Sequence, residues 1–122
     1  MTILVIDDDR DFRTGLAANL RDDGYEVREF GSPGELPELD TLGDVGAVVS
    51  DYQMSECDGL GLADRFHAVH PATPFIMVTA YWSHHLDAEA GKRKFLVLQR
   101  KPLDYEDLVA LLEPQSGPRP AM

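Results

Sequence analysis

Ala47-Val48-Val49-Ser50-Asp51-Tyr52-Gln53-Met54 carries a short apolar run straight into an acid, and three other stretches share that design. Ile3-Leu4-Val5-Ile6 runs into Asp7-Asp8-Asp9, and Phe75-Ile76-Met77-Val78 into Thr79. Phe95-Leu96-Val97-Leu98 leads, past Gln99 and Arg100, to Lys101-Pro102. Such runs, separated by helix-period segments, read as parallel strands buried on both faces. Their carboxyl ends then share one edge of a sheet, where open α/β folds bind their ligands.

Between the runs the period changes. Phe12, Leu16 and Leu20 recur every fourth residue, which predicts a helix over 11–22 that Gly24 stops. Residues 26–30 alternate charged and apolar side chains, as a strand near a sheet edge does. Ser32-Pro33-Gly34-Glu35 has the N-cap, first-turn proline and acid of a helix start, predicting a short helix to about 39 that Pro37 weakens. A helix over 60–70 turns Leu62, Phe66 and Val69 inward. A polar helix is expected within 83–90, and Asp104 caps a last one to 112 with Leu108, Leu111 and Leu112 facing in. Five strands alternating with five helices imply right-handed crossovers and a doubly wound parallel sheet. The proline-rich residues 114–122 read as a disordered tail or linker stub after one domain over 1–113.

A chain of 122 residues buries roughly two thirds of its unfolded surface, enough for a core without disulfides or a structural metal. The single cysteine, Cys57, excludes an internal disulfide and fits a reducing cytoplasm. It has no resolving partner, so it reads as a small loop residue and not a redox sensor. No stretch approaches the ~20 apolar residues that span a bilayer, and with the sequence opening on a strand no secretory signal is expected. The expected location is cytoplasmic, with no membrane contact. With 22 acids against 11 basic residues and a net charge of −11, direct nucleic-acid binding is not expected.

The polar residues at the strand ends suit phosphoryl chemistry. Asp7, Asp8 and Asp51 offer hard oxygens for Mg²⁺, with Mn²⁺ a second candidate. Asp51 is the candidate nucleophile, since a carboxylate attacking phosphorus yields an acyl phosphate and a neighbouring metal offsets the anionic repulsion. Thr79 offers a hydroxyl, and Lys101 a point charge, to phosphoryl oxygens. Pro102 restrains the backbone of Lys101, and a cis bond there would direct the lysine further. Taken singly, each of these residues also reads as a turn acid, a satisfied strand-end threonine or a solvated lysine.

Taken in order, Asp7-Asp8, Val49-Ser50-Asp51-Tyr52-Gln53-Met54, Asp58-Gly59, Val78-Thr79-Ala80 and Lys101-Pro102 resemble the receiver domain of bacterial two-component response regulators. The resemblance covers about residues 2–113. It implies a flavodoxin-like (βα)5 fold with strand order 2-1-3-4-5, and phosphoryl transfer to Asp51 from a sensor histidine kinase or histidine phosphotransfer protein. It also implies Mg²⁺ held by Asp8, Asp51 and the backbone carbonyl of Gln53, with Asp7 acting mainly through water. Such a module catalyses its own phosphorylation and slow dephosphorylation, signals to an output partner or relays the group onward, and is a monomer or a weak phosphorylation-dependent dimer. The competing reading is a small phosphatase or phosphotransferase of the haloacid-dehalogenase type, which also forms an aspartyl phosphate. Such enzymes usually place a second acid two residues after the nucleophile, where this chain has Gln53. A flavodoxin-like nucleotide binder would need a glycine- or hydroxyl-rich phosphate loop after the first strand, and acids stand there.

The sequence departs from the family in two places, at Leu98 and just ahead of the fifth strand. Receivers commonly carry, three positions before the lysine, an aromatic residue that swings inward as the threonine closes on the phosphoryl group; this chain has Leu98. Tyr81 and Trp82 either take over that signalling role or pack against the polar helix. Gly91 lies early and Lys92-Arg93-Lys94 precedes the fifth strand, which predicts a shortened or loosened fourth helix and a solvated basic turn or a contact for an acidic partner. Gln53 and Tyr81 occupy positions that tune water access, predicting a long-lived acyl phosphate. His84-His85 read as solvated residues, because adjacent helical residues do not converge on a metal. His67 and His70 do not read as phosphorelay histidines.

Overall fold

The computed structural model describes residues 2–54 and 58–112. Cys57 and the 114–122 tail lie outside the described residues. Five parallel strands, β1 (Thr2–Ile6), β2 (Glu26–Phe30), β3 (Ala47–Asp51), β4 (Phe75–Thr79) and β5 (Leu96–Arg100), form one sheet in the order β2-β1-β3-β4-β5. This is the expected receiver topology. The chain leaves β1 toward β2 on one side and later returns to β3 on the other, so the winding reverses between β1 and β3. The acids emerge at that switch point.

Period-two alternation sorts the strand side chains into two apolar layers. Leu4, Ile6, Val48, Phe75 and Met77 point to one face, which is covered by α2 (Gly59–Val69) and α3 (His84–Gly91) through Leu62, Ala63, Phe66, Leu86 and Ala90. Ile3, Val5, Ala47, Val49, Ile76 and Val78 point to the other, which is covered by α1 (Arg10–Asp22) and α4 (Tyr105–Leu112) through Leu16, Ala17, Leu20, Leu108 and Leu112. The central strands β1, β3 and β4 are almost wholly buried, whereas β2 and β5 alternate or fray toward solvent as edge strands.

Four of the five expected α-helices are present among the described residues. The segment expected as a helix over 32–39 instead forms two short 3-10 turns, Pro33–Glu35 and Leu39–Thr41. Ser32 does not cap the first through its side chain, and Pro37 lacks the N–H that a continuing helix requires. Leu36, Leu39 and Leu42 still pack on the α2 layer, so burial is kept without regular helix. Val69, expected inside, is 43% exposed. It ends α2 beyond the amino-terminal edge of the sheet, where it borders an open hollow with Thr2, Gly43 and Pro74. The fifth strand is displaced by one residue: Phe95 precedes it and stacks on His67 at 3.9 Å.

Candidate functional site

β1 delivers Asp7 to the switch point as its first residue past the strand, and the Asp7 backbone N–H still donates to the Phe30 carbonyl at 3.1 Å. Only 1% of Asp7 is exposed. Its carboxylate accepts from the Asp9 N–H at 2.9 Å and from Lys101 Nζ at 3.0 Å. Asp9 in turn accepts from the Phe12 N–H at 3.2 Å and starts α1 as its N-cap, so the third acid of the run is a helix start. Asp8 lies exposed between these two, at the rim of an open cleft of about 460 Å³ lined also by Tyr52, Gln53, Met54 and Asp58.

Asp51 is the last residue of β3 and only partly exposed, with Lys101 Nζ 3.9 Å from its Oδ1. Burial first, then the neighbouring Asp7 carboxylate, push its carboxyl up from 3.8 to about 6, against the opposing pull of Lys101 and the Tyr52 N–H. Past β3, the Gly59 N–H donates to the Tyr52 carbonyl at 2.7 Å, and Asp58 caps α2 by accepting from the Gly61 N–H at 2.8 Å. Gln53 is exposed and pairs with Asp58 as an isolated bridge.

Thr79 ends β4 and is 1% exposed, and its Oγ1 accepts from the Tyr81 N–H at 2.9 Å. Lys101 follows β5; its N–H donates to the Thr79 carbonyl at 2.7 Å, and the Lys101-Pro102 bond is cis. The five strand-end residues Asp7, Asp8, Asp51, Thr79 and Lys101 therefore sit on one edge, as the sequence pattern requires. The ammonium contacts Asp7 more closely than Asp51.

One oxygen from each of Asp7, Asp8 and Asp51 lies within 4.8 Å of the others. Three hard anionic donors with, among the described residues, a single ammonium beside them, and one carboxyl whose pKa is raised first by burial and then by the neighbouring Asp7, make a donor set that fits a divalent cation. Sequence reasoning missed the residues that support this cluster from α1. Arg13 Nη1 donates to the Asp7 carbonyl at 2.8 Å, and its Nε lies 3.5 Å from Glu29. Lys101 Nζ lies 4.3 Å from the centre of the Phe12 ring, so a residue read as core also shapes the site. The available signal was spacing, since residues 12 and 13 follow the Asp9 cap by one helical turn.

Leu98 is half-buried against the α2 and α3 layer. Tyr81 is 66% exposed, while Trp82 lies under the Arg100 guanidinium at 4.1 Å and meets His84 edge-on at 4.7 Å. The basic triplet is not a plain solvated turn: Arg93 grips Asp64 of α2 through two bonds of 2.7 and 2.9 Å and donates to the Glu89 carbonyl, so the acid it meets is intramolecular. His70 bonds the Leu39 carbonyl through Nε2 at 2.7 Å and stacks on Phe66, while His84 and His85 are exposed.

Comparison with known proteins agrees with this geometry. Residues 3–113 match the family model described as response regulator receiver domain. The transcriptional regulatory protein ZraR of Escherichia coli (strain K12) is 38% identical over 111 residues, covering 91% of this chain and 25% of the relative. The DNA-binding transcriptional regulator NtrC of Azospirillum brasilense is 32% identical over 112 residues, covering 92% of this chain and 23% of that protein. The chain thus spans about a quarter of the length of these curated relatives. A crystal structure of a response regulator protein from Burkholderia pseudomallei, with a phosphorylated aspartic acid, calcium ion and citrate, superposes with a TM-score of 0.81 at 25% identity, covering 96% of this chain and 75% of that one. Fold, strand-end chemistry and sequence relatedness converge: the chain belongs to the response regulator receiver domain family and is a phosphoacceptor-type module of two-component signalling.

Proposed function

We propose that Asp51 accepts a phosphoryl group from a histidine kinase or histidine phosphotransfer protein in a Mg²⁺-dependent reaction, with Mn²⁺ an effective substitute. The observation that carries this reading is the meeting of Asp7, Asp8 and Asp51 around a single lysine at the sheet's switch point. The cation would be held by Asp8, Asp51 and the backbone carbonyl of Gln53, with Asp7 reaching it mainly through water, and would neutralise the acids and orient the donor. A carboxylate oxygen of Asp51 attacks phosphorus, and the bond from phosphorus to the donor's imidazole nitrogen breaks with its electron pair leaving on that nitrogen. Lys101 turns from Asp7 toward a phosphoryl oxygen, and the Thr79 hydroxyl donates to another. Hydrolysis of the acyl phosphate, catalysed by the same residues, ends the signal.

The phosphorylated domain then binds an output partner or passes the group on, as a monomer or a weak phosphorylation-dependent dimer, in the cytoplasm. Incubation with acetyl phosphate is expected to label the chain stoichiometrically and only with Mg²⁺ or Mn²⁺, and Asp51→Asn to abolish labelling. Multiple turnover of a phosphate ester would instead support the phosphatase reading. Gln53 and Tyr81 obstruct in-line attack by water, so the double variant Gln53→Ala/Tyr81→Ala should lose phosphate faster. An unchanged lifetime would remove that tuning role.

A further inference from the structure

We propose that Trp82 and Arg100 form a latch that positions the Thr79 hydroxyl, and that phosphoryl capture at Asp51 is transmitted by its release. This inference rests on the reading of Asp51 as the phosphoryl acceptor. The loop between β4 and α3 is tied at two neighbouring points. The Tyr81 N–H is bonded to Thr79 Oγ1 at 2.9 Å, and one residue later the Trp82 ring lies 4.1 Å from the Arg100 guanidinium. Arg100 is itself the Cα partner of Thr79 across the β4–β5 pair, so both ties start from one rung of the sheet.

A hydroxyl has one proton to donate and lone pairs with which to accept. Oγ1 therefore reaches for a phosphoryl oxygen either by carrying Tyr81 with it or by releasing the Tyr81 N–H. Either route loosens the loop, and the latch opposes it by holding the indole against β5. The edge contact of Trp82 with His84, the first residue of α3, extends the coupling to that helix. Leu98 is packed against the core layer and offers no aromatic ring to move, whereas Tyr81 and the Trp82–Arg100 pair stand at the surface end of the same strands.

Trp82 is the single tryptophan of the chain, so intrinsic fluorescence reads the latch directly. The experiment titrates the full chain with beryllofluoride and Mg²⁺, following indole emission and, in parallel, occupancy of Asp51 by ¹⁹F NMR. Emission is expected to change in step with occupancy. Arg100→Gln is expected to bind beryllofluoride roughly two- to fivefold more tightly, the range of an exposed cation–π contact removed from the resting state. Arg100→Lys, which keeps the cation over the ring, should retain the affinity of the parent. Arg100 is exposed on an edge strand, so these exchanges do not threaten the core. Flat emission at full occupancy, or unchanged affinity in Arg100→Gln, overturns the latch alone. Absence of any ¹⁹F occupancy in the parent chain overturns the acceptor reading, and the latch with it.

Discussion

A methyl group at position 59 would collide with the acceptor strand. Built on Gly59, a Cβ falls 2.6 Å from the Asp51 carbonyl oxygen, 3.0 Å from the Tyr52 Cα and 3.1 Å from the Met77 side chain. Backbone on two of those three sides cannot yield without moving Asp51. Gly59→Ala is therefore expected to cost about 1–3 kcal/mol in urea unfolding and to slow phosphoryl labelling of Asp51 as well. Slower labelling without loss of stability would mean the loop, not the strand, gives way. The meeting of Asp7, Asp8, Asp51, Thr79 and Lys101 at one edge was legible in sequence because each terminates or closely follows an apolar run, and strand ends align wherever the sheet is parallel. Arg13 and Phe12 were not, because a residue on α1 reaches the site only through the angle at which that helix lies on the sheet. For the same reason periodicity placed Val69 inside: it knows the helix face but not where the sheet ends.

At the scale of elements, α3 is the least anchored helix of the sheet layer it shares with α2. Its eight residues bury only Leu86 and Ala90, whereas the eleven of α2 bury Leu62, Ala63 and Phe66 besides Gly59. Its ends are tied by the Ser83 cap at 3.0 Å, by the edge contact of Trp82 with His84 and, just past its last residue, by the Arg93 link to Asp64. Amide exchange should accordingly be faster across His84–Gly91 than across Gly59–Val69, and faster still in Arg93→Ala; equal protection in the two helices would refute this. The Asp64–Arg93 pair also carries a pH signature. Its hydrogen bond to Arg93 lowers the Asp64 carboxyl below its ordinary value. A lowered native value means that the stabilisation is complete above the unfolded value of ~3.9 and disappears as pH falls through the lower native one. With Asp64 half exposed the effect is under about 1 kcal/mol and weakens with salt, which acid titration of the parent against Arg93→Ala would measure. The sequence placed this helix within 83–90 as a polar segment, and the structure has it over His84–Gly91. It misread 32–39 because start signals were present while Pro37, two residues past the first turn, prevented propagation.

For the whole molecule the excess of acid is a load that function imposes on stability. The net charge is −11, and three of the acids are crowded within 4.8 Å at the switch point with one ammonium to balance them. Millimolar Mg²⁺ is expected to raise the thermal midpoint, by an amount equivalent to about 2.7 kcal/mol when the ion is at a hundred times its dissociation constant. Asp8→Asn should act in opposite directions on the two forms. It relieves repulsion at an exposed position and so stabilises the metal-free protein by under about 1 kcal/mol, yet it forfeits most of the Mg²⁺-dependent gain. Thermal melts of both proteins with and without Mg²⁺ check this, and equal Mg²⁺ gains would exclude Asp8 from the metal site.

The sequence alone determined the class of fold, the strand order through its family resemblance, and the identity of the strand-end residues. Period and composition report which side chains must leave water, and burial on both faces of a parallel sheet leaves few ways to arrange them. Only the tertiary structure decided which polar groups meet: Lys101 with Asp7 more closely than with Asp51, Thr79 with the Tyr81 N–H, Arg93 with Asp64, and Trp82 with Arg100. Hydrogen bonds and ion pairs depend on distances of a few ångströms between elements far apart in the chain. Those distances are set by how the layers pack, a quantity that no local pattern of residues contains.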